Sequence, residues 1–159
     1  MTIVAWDGET LAADKQATIC GHGTTVTKIF RAGDGLVGFA GRASQAMEML
    51  AWLAAGAEAD DFPESQRDED NAAAMLVITG ESKILLYEFG PHPVLFEQKT
   101  FAIGSGRDYA IAAMYLGKTA LEAVEVACIL DTDCGCGIDT LTLRSASDAS
   151  NTNSHGGGV

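Results

Sequence analysis

Thr2-Ile3-Val4-Ala5-Trp6-Asp7-Gly8-Glu9-Thr10-Leu11-Ala12-Ala13-Asp14 follows directly on Met1. Asp7-Gly8 accepts the positive φ of a tight turn, and the stretches on either side of it, residues 2–6 and 10–14, read as the two strands of a hairpin. By the same logic residues 26–31 and 36–40 pair across Gly33-Asp34-Gly35, so four strands are expected before any helix. The period then changes. Ala46, Met49, Leu50 and Leu53 fall at i, i+3, i+4 and i+7, the apolar stripe of a helix over residues 42–55, with Gly56 as its stop.

Farther on, residues 74–79 and 83–89 read as a hairpin across Gly80-Glu81. Residues 94–96 and 100–103 read as short strand pieces, since Pro91 and Pro93 block helix there. Two helices follow, over 108–116 and 120–130. Thr119 with Glu122 makes a capping box for the second, and Ala120, Ala123, Val124 and Ala127 form its stripe. A last strand is expected over 138–143. Strands and helices are segregated and do not alternate regularly, which defines an α+β class with antiparallel sheets. The 159 residues fit one domain, read as 1–144, with a Ser/Asn/Gly-rich tail at 145–159 expected to be disordered.

Composition excludes several functions. A net charge of −12 with ten basic residues spread over the chain argues against nucleic-acid binding. Seven carboxylates and one Arg between Glu58 and Asp70 read as a solvated loop. No apolar run approaches the roughly 20 residues that span a bilayer, and no secretory signal opens the chain, so a cytoplasmic location is the default. In that setting Cys20, Cys128, Cys134 and Cys136 are expected to be free thiols. Gly104-Ser105-Gly106 begins like a dinucleotide fingerprint but lacks the third glycine. Cys134 and Cys136 are too close for the usual zinc spacing, and His22, His92 and His155 form no ligand pattern. No cofactor and no metal is expected, and no G-x-S-x-G elbow is present.

An ordered set of pieces carries a resemblance. Residues 2–8, Leu11-Ala12-Ala13-Asp14, Thr27-Lys28-Ile29, Leu36-Val37-Gly38-Phe39-Ala40-Gly41, Ala102-Ile103-Gly104-Ser105-Gly106 and Ile138-Asp139-Thr140-Leu141 resemble the successive signatures of proteasome β and bacterial HslV-type subunits, N-terminal-nucleophile hydrolases. The likeness is greatest to short phage-borne or bacterial HslV-like proteins. It implies a four-layer αββα sandwich and a threonine peptidase whose nucleophile is Thr2, exposed by loss of Met1. A hydroxyl is a poor nucleophile at neutral pH, and a free α-amine with a reference pKa near 8 is suited to take its proton.

Position by position, the resemblance makes Lys28 the active-site lysine, Asp14 its carboxylate partner, and Gly38 the residue whose N–H faces the oxyanion. It gives Ser105 and Asp131 the orientation of the terminal amine, with Cys134 standing where the family usually has a serine, and Leu36 the shaping of the substrate pocket. Ile3 replaces a frequent threonine. It further implies hexameric or heptameric homo-oligomeric rings stacked in pairs, a peptide or unfolded-protein substrate, and an unfoldase ATPase partner. The residues alone leave other roles open: Thr2 as an ordinary strand residue, Asp14 and Lys28 as a surface ion pair, Ser105 as a helix cap, Asp131 as a helix end, and Cys134 and Cys136 as small buried hydrophobes. A non-catalytic shell subunit and a small-molecule amidase remain alternatives to the peptidase.

Overall fold

Asp7 builds the first turn and also anchors it. Its Oδ1 accepts the N–H groups of Glu9 at 3.0 Å and Thr10 at 2.8 Å, while Oδ2 accepts the Ala120 N–H at 2.8 Å. The hairpin is thereby tied to the start of a helix more than a hundred residues away in sequence. The computed structural model describes residues 2–19, 21–67 and 73–143. The tail at 145–159, the boundary at 144, Cys20 and the end of the acidic stretch lie outside the described residues.

The hairpin strands are β1 (Ile3–Trp6) and β2 (Thr10–Asp14), and a small second hairpin follows, β3 (Gln16–Ile19) with β4 (His22–Thr25). Then come β5 (Ile29–Ala32), β6 (Gly35–Ala40), α1 (Ala43–Ala54), β7 (Ala74–Ile78), β8 (Ile84–Tyr87), β9 (Val94–Phe96), β10 (Phe101–Gly104), α2 (Arg107–Tyr115), α3 (Ala120–Leu130) and β11 (Ile138–Thr142). One sheet has the order β10-β1-β2-β11 and the other β5-β6-β7-β8-β9, and all pairings are antiparallel.

Strand alternation sorts the side chains into layers. Ile3 and Ala5 of β1, with Ala12 of β2, face α2 and α3, where the stripe Ala120, Ala123, Val124 and Ala127 lets helix and sheet approach closely. Val4, Trp6, Leu11 and Ala13 face the other way and pack on Leu36, Leu76 and Ile78 of the second sheet. That sheet's outer face, with Val37, Phe39, Met75 and Val77, is covered by Ala46, Met49 and Trp52 of α1. The result is the four-layer αββα sandwich. Full burial of a side chain such as Ile3, Leu11 or Leu36 contributes roughly 1.5–3 kcal/mol.

Three local expectations need correction. Six strands precede the first helix, not four, because β3 and β4 form a hairpin that the turn signals did not mark. The strand expected from residue 26 starts at Ile29: the Val26 N–H is taken by the Lys15 carbonyl at 2.8 Å, so residues 26–28 lead into the strand and do not belong to it. The acidic stretch is not simply solvated loop. It carries two 3-10 turns, Ala59–Asp61 and Glu64–Arg67, and buries Phe62 edge-on against Trp52, whose indole N–H donates to the Glu58 carbonyl at 2.8 Å. The capping box of α3 forms as expected, with Glu122 Oε2 accepting the Thr119 N–H at 2.9 Å.

Candidate active site

Asp14, at the end of β2, has no exposed surface and makes four hydrogen bonds. Oδ1 accepts the Lys28 ammonium at 2.7 Å and the Ile3 N–H at 2.9 Å. Oδ2 accepts the N–H groups of Gln16 and Gly135, each at 3.1 Å. A buried carboxylate is tolerable only with such partners, and a buried ammonium only beside such a carboxylate. Lys28 is 7% exposed, so the pair is not a surface ion pair. One oxygen of Asp14 joins the lysine head to the peptide that follows Thr2, which brings Lys28 to the chain's N-terminal end.

Thr2 is 4% exposed and is held from its other side by Ser105. The Thr2 N–H donates to Ser105 Oγ at 3.2 Å, the Ser105 hydroxyl lies 3.3 Å from the Thr2 carbonyl, and the Gly106 N–H donates to that carbonyl at 3.3 Å. Ser105 is therefore not a helix cap; the N-cap of α2 is Gly106, with no side-chain bond. Gly104 sits at φ 103°, and a Cβ there would land on the Thr2 carbonyl oxygen, so only glycine lets β10 run this close to Thr2. The Gly-Ser-Gly segment is thus explained by close packing on the N-terminus and not by a nucleotide.

Asp131, the C-cap of α3, accepts the Asp133 N–H at 3.0 Å and the Cys134 thiol at 3.5 Å. The Asp133 N–H, and then the Ser105 hydroxyl, hold the Asp131 carboxyl below its ordinary value, so it stays anionic beside Ser105. Cys134 Sγ lies 3.9 Å from Ser105 Oγ. Burial, followed by the charge of Asp14, pushes its thiol up to about 12, and burial pushes Cys128 up to about 11. Both remain protonated near neutrality, when the thiolate is the reactive form. Iodoacetamide at pH 8 is therefore expected to alkylate exposed Cys136 in the folded protein and to spare Cys134 and Cys128 until denaturant is added, as read by peptide mass mapping. Faster labelling of Cys134 than of Cys136 would contradict this placement.

Thr2 and Lys28 line one cavity of about 280 Å³, together with residues of β3, the end of β6 and the start of α1. Gly38 and Leu36 are not part of it. Hydrogen-bond parity along β6 gives the reason. The Phe39 N–H donates to the Lys28 carbonyl at 3.0 Å, so the Gly38 N–H points the opposite way, into the ladder with β7 opposite Leu76. A Cβ on Gly38 would meet Val4 and Ile29 in the inter-sheet core, where Leu36 is also wholly buried. The oxyanion and pocket roles expected of Gly38 and Leu36 do not fit these positions.

Gly41 and Phe39 do lie on the cavity. Gly41 has the parity of Phe39 but stands beyond the start of β5, and its N–H makes no hydrogen bond among the described residues. Ala43 and Ser44, in the first turn of α1, line the same space, and the Arg42 N-cap supplies no side-chain bond to that turn. Helix N-termini carry unsatisfied N–H groups and a partial positive charge, so this wall of the cavity favours an anion. The switch from period 2 to period 3.6 at Gly41-Arg42 is the sequence signal that marks it. Gln16 and Gly135, which clamp Asp14, carried no comparable signal.

Among the described residues no group of His, Cys, Asp and Glu could hold a metal ion, and no helix is long and apolar enough to cross a membrane.

This layering defines the class: the chain has the fold of the HslV-type, proteasome-like proteins. The particular solved structures it is similar to include Thiobacillus denitrificans BPH in complex with epoxomicin, 19% identical with a TM-score of 0.69 over 91% of this chain and 100% of that one. Eukaryotic HslV from Trypanosoma brucei is 21% identical with a TM-score of 0.66 over 91% and 99% of the two chains. No family model and no curated protein matches the sequence. At these identities the likeness is one of fold.

Proposed function

We propose that this chain is a threonine-type peptidase whose nucleophile is the hydroxyl of Thr2, freed at the N-terminus by removal of Met1. The observation that carries the reading is Thr2 on a cavity wall beside a lysine whose ammonium is locked on a fully buried carboxylate. In the processed chain the Thr2 α-amine takes the Oγ proton, and Oγ attacks the substrate carbonyl carbon. The Lys28 charge favours the deprotonated hydroxyl and keeps the amine's own pKa low enough for it to act as a base. Ser105, backed by anionic Asp131, orients the amine.

Charge that develops on the carbonyl oxygen is met by the Gly41 N–H and the first turn of α1, a preorganised electrostatic arrangement. The amine then gives its proton to the departing peptide nitrogen, the C–N bond breaks, and an ester on Thr2 remains. Water, deprotonated by the same amine, hydrolyses that ester and restores the hydroxyl. No metal or cofactor takes part.

The substrate is a peptide or unfolded protein, and the subunits assemble as homo-oligomeric rings, hexameric or heptameric and stacked in pairs, served by an unfoldase ATPase. Assembly is supported by the apolar surface of the α2–α3 layer, where Tyr115, Ile129 and Leu116 are 89%, 81% and 80% exposed.

The test combines intact-mass measurement with a peptide epoxyketone, a reagent that needs both a hydroxyl and a free amine on one residue. The expected result is a chain beginning at Thr2 that carries the adduct on that residue. Retention of Met1 on every copy, or an adduct mapped elsewhere, would defeat the reading.

A further inference from the structure

Between α3 and β11, residues 131–137 carry three groups on which the Thr2 reading depends: the Asp131 carboxylate, the Cys134 thiol and the Gly135 N–H that completes Asp14. Their own backbone does not hold them there. Cys136 sits at φ 59° and Gly137 at φ 98°, and a residue with a side chain keeps a left-handed conformation only where its surroundings impose it.

The start of β3 and the residue before it impose it. The Lys15 N–H is shared between the carbonyls of Gly135 and Gly137, each at 3.0 Å, and the Lys15 ammonium reaches across to Asp139 at 2.6 Å, its stem passing over Gly137. Gln16 closes the other side. Its Nε2 donates to the Thr132 carbonyl at 3.2 Å, and its Oε1 lies so close over Gly135 that a Cβ there would come within 2.8 Å of it. Of these contacts the Thr132 bond lies nearest Asp131 in the chain. The Gln16 backbone N–H meanwhile donates to Asp14 Oδ2, so one residue joins the loop to the buried ion pair.

We propose that Gln16 is a positioning residue for the Thr2 amine: its carboxamide, with Lys15 beside it, pins residues 131–137 so that Asp131 stands behind Ser105 and Gly135 behind Asp14. The inference rests on the Thr2 reading and assigns a role that acts through the loop and not on the reacting atoms.

Release of the loop has a chemical sign. The charged and titratable groups about the Thr2 amine are Lys28 ahead of β5, Asp14 from β2, Asp131 at the end of α3 and the Cys134 thiol. Slackening the loop withdraws one anion, Asp131, and leaves the lysine charge, so the ammonium form of the amine loses support and its pKa falls.

The experiment compares the full wild-type chain with Gln16→Met, which removes the donor but keeps bulk and charge, and with Gln16→Ala. Iodoacetamide labelling of Cys134 at pH 8, read by peptide mass mapping, reports the loop whether or not the protein turns over. Labelling is expected to be about tenfold faster in both variants, the scale of one lost hydrogen bond, while their thermal melts stay within a few degrees of wild type. Peptide hydrolysis against pH reports the amine. The expected kcat is lower by about 10-fold to 100-fold, the cost of a small misplacement, and the acid limb of its pH profile moves down by about half a unit. Unchanged Cys134 labelling, or an acid limb that stays at its wild-type position, overturns the positioning role and leaves Thr2 as the nucleophile. If the wild-type chain takes no epoxyketone adduct on Thr2, the nucleophile reading falls and the positioning role falls with it, even where the labelling shows the loop held by Gln16.

Discussion

Thr2→Ala is expected to lower kcat on the order of a million-fold, to the level set by residual binding and electrostatic groups, the scale seen when a hydrolase loses its nucleophile. The substitution removes one hydroxyl and one methyl at the end of the sandwich, outside the packed strands, so the melting temperature should move by only a few degrees. Thr2→Ser keeps both the hydroxyl and the amine, and should retain turnover that Thr2→Ala lacks. Peptide hydrolysis by the two variants, measured beside their thermal melts, checks the expectation. Turnover of Thr2→Ala near that of wild type would place the nucleophile elsewhere.

Much of this arrangement was legible in the residues because several elements announce themselves. Asp7-Gly8 fixed the first hairpin, Gly33-Asp34-Gly35 the β5–β6 pair, and Thr119 with Glu122 the start of α3. The β3–β4 hairpin was missed because Gln16, Thr18, His22, Gly23 and Thr24 bring no apolar alternation; that hairpin borders the cavity and does not bury a core face.

The errors at the site share one cause. Leu36, Gly38, Phe39 and Gly41 lie within six residues, and the sequence does not say which N–H groups are taken by neighbouring strands. Parity settles it only once β5 and β7 are in place: Gly38 faces β7, and Gly41 lies beyond the start of β5. The Asp14–Lys28 pair presents the converse case. Its partners could be named from the resemblance, but its burial could not, because the Gln16 and Gly135 N–H groups that complete it come from elements with no hydrophobic signature.

That burial makes Asp14→Ala the most damaging change expected for the fold. Removing one member of a buried ion pair costs about 3–5 kcal/mol, since it strands the other charge without water. Here the loss goes further, because the Ile3 N–H in the core loses its acceptor together with the Gln16 and Gly135 N–H groups. Against a typical domain stability of about 5–15 kcal/mol this is a large fraction, and a fall in melting temperature of about 10–20 °C follows.

Lys28→Met removes the other charge and leaves Asp14 its three backbone donors, so it should cost less than Asp14→Ala. The double variant Asp14→Ala with Lys28→Met should be more stable than the sum of the single losses, because no uncompensated charge stays buried. Urea unfolding of the four proteins closes this cycle. An Asp14→Ala protein within about 1 kcal/mol of wild type would mean that the carboxylate is solvated and the lysine free to turn away. The lysine would then no longer be positioned beside Thr2, and the catalytic proposal would lose its support along with the stability argument.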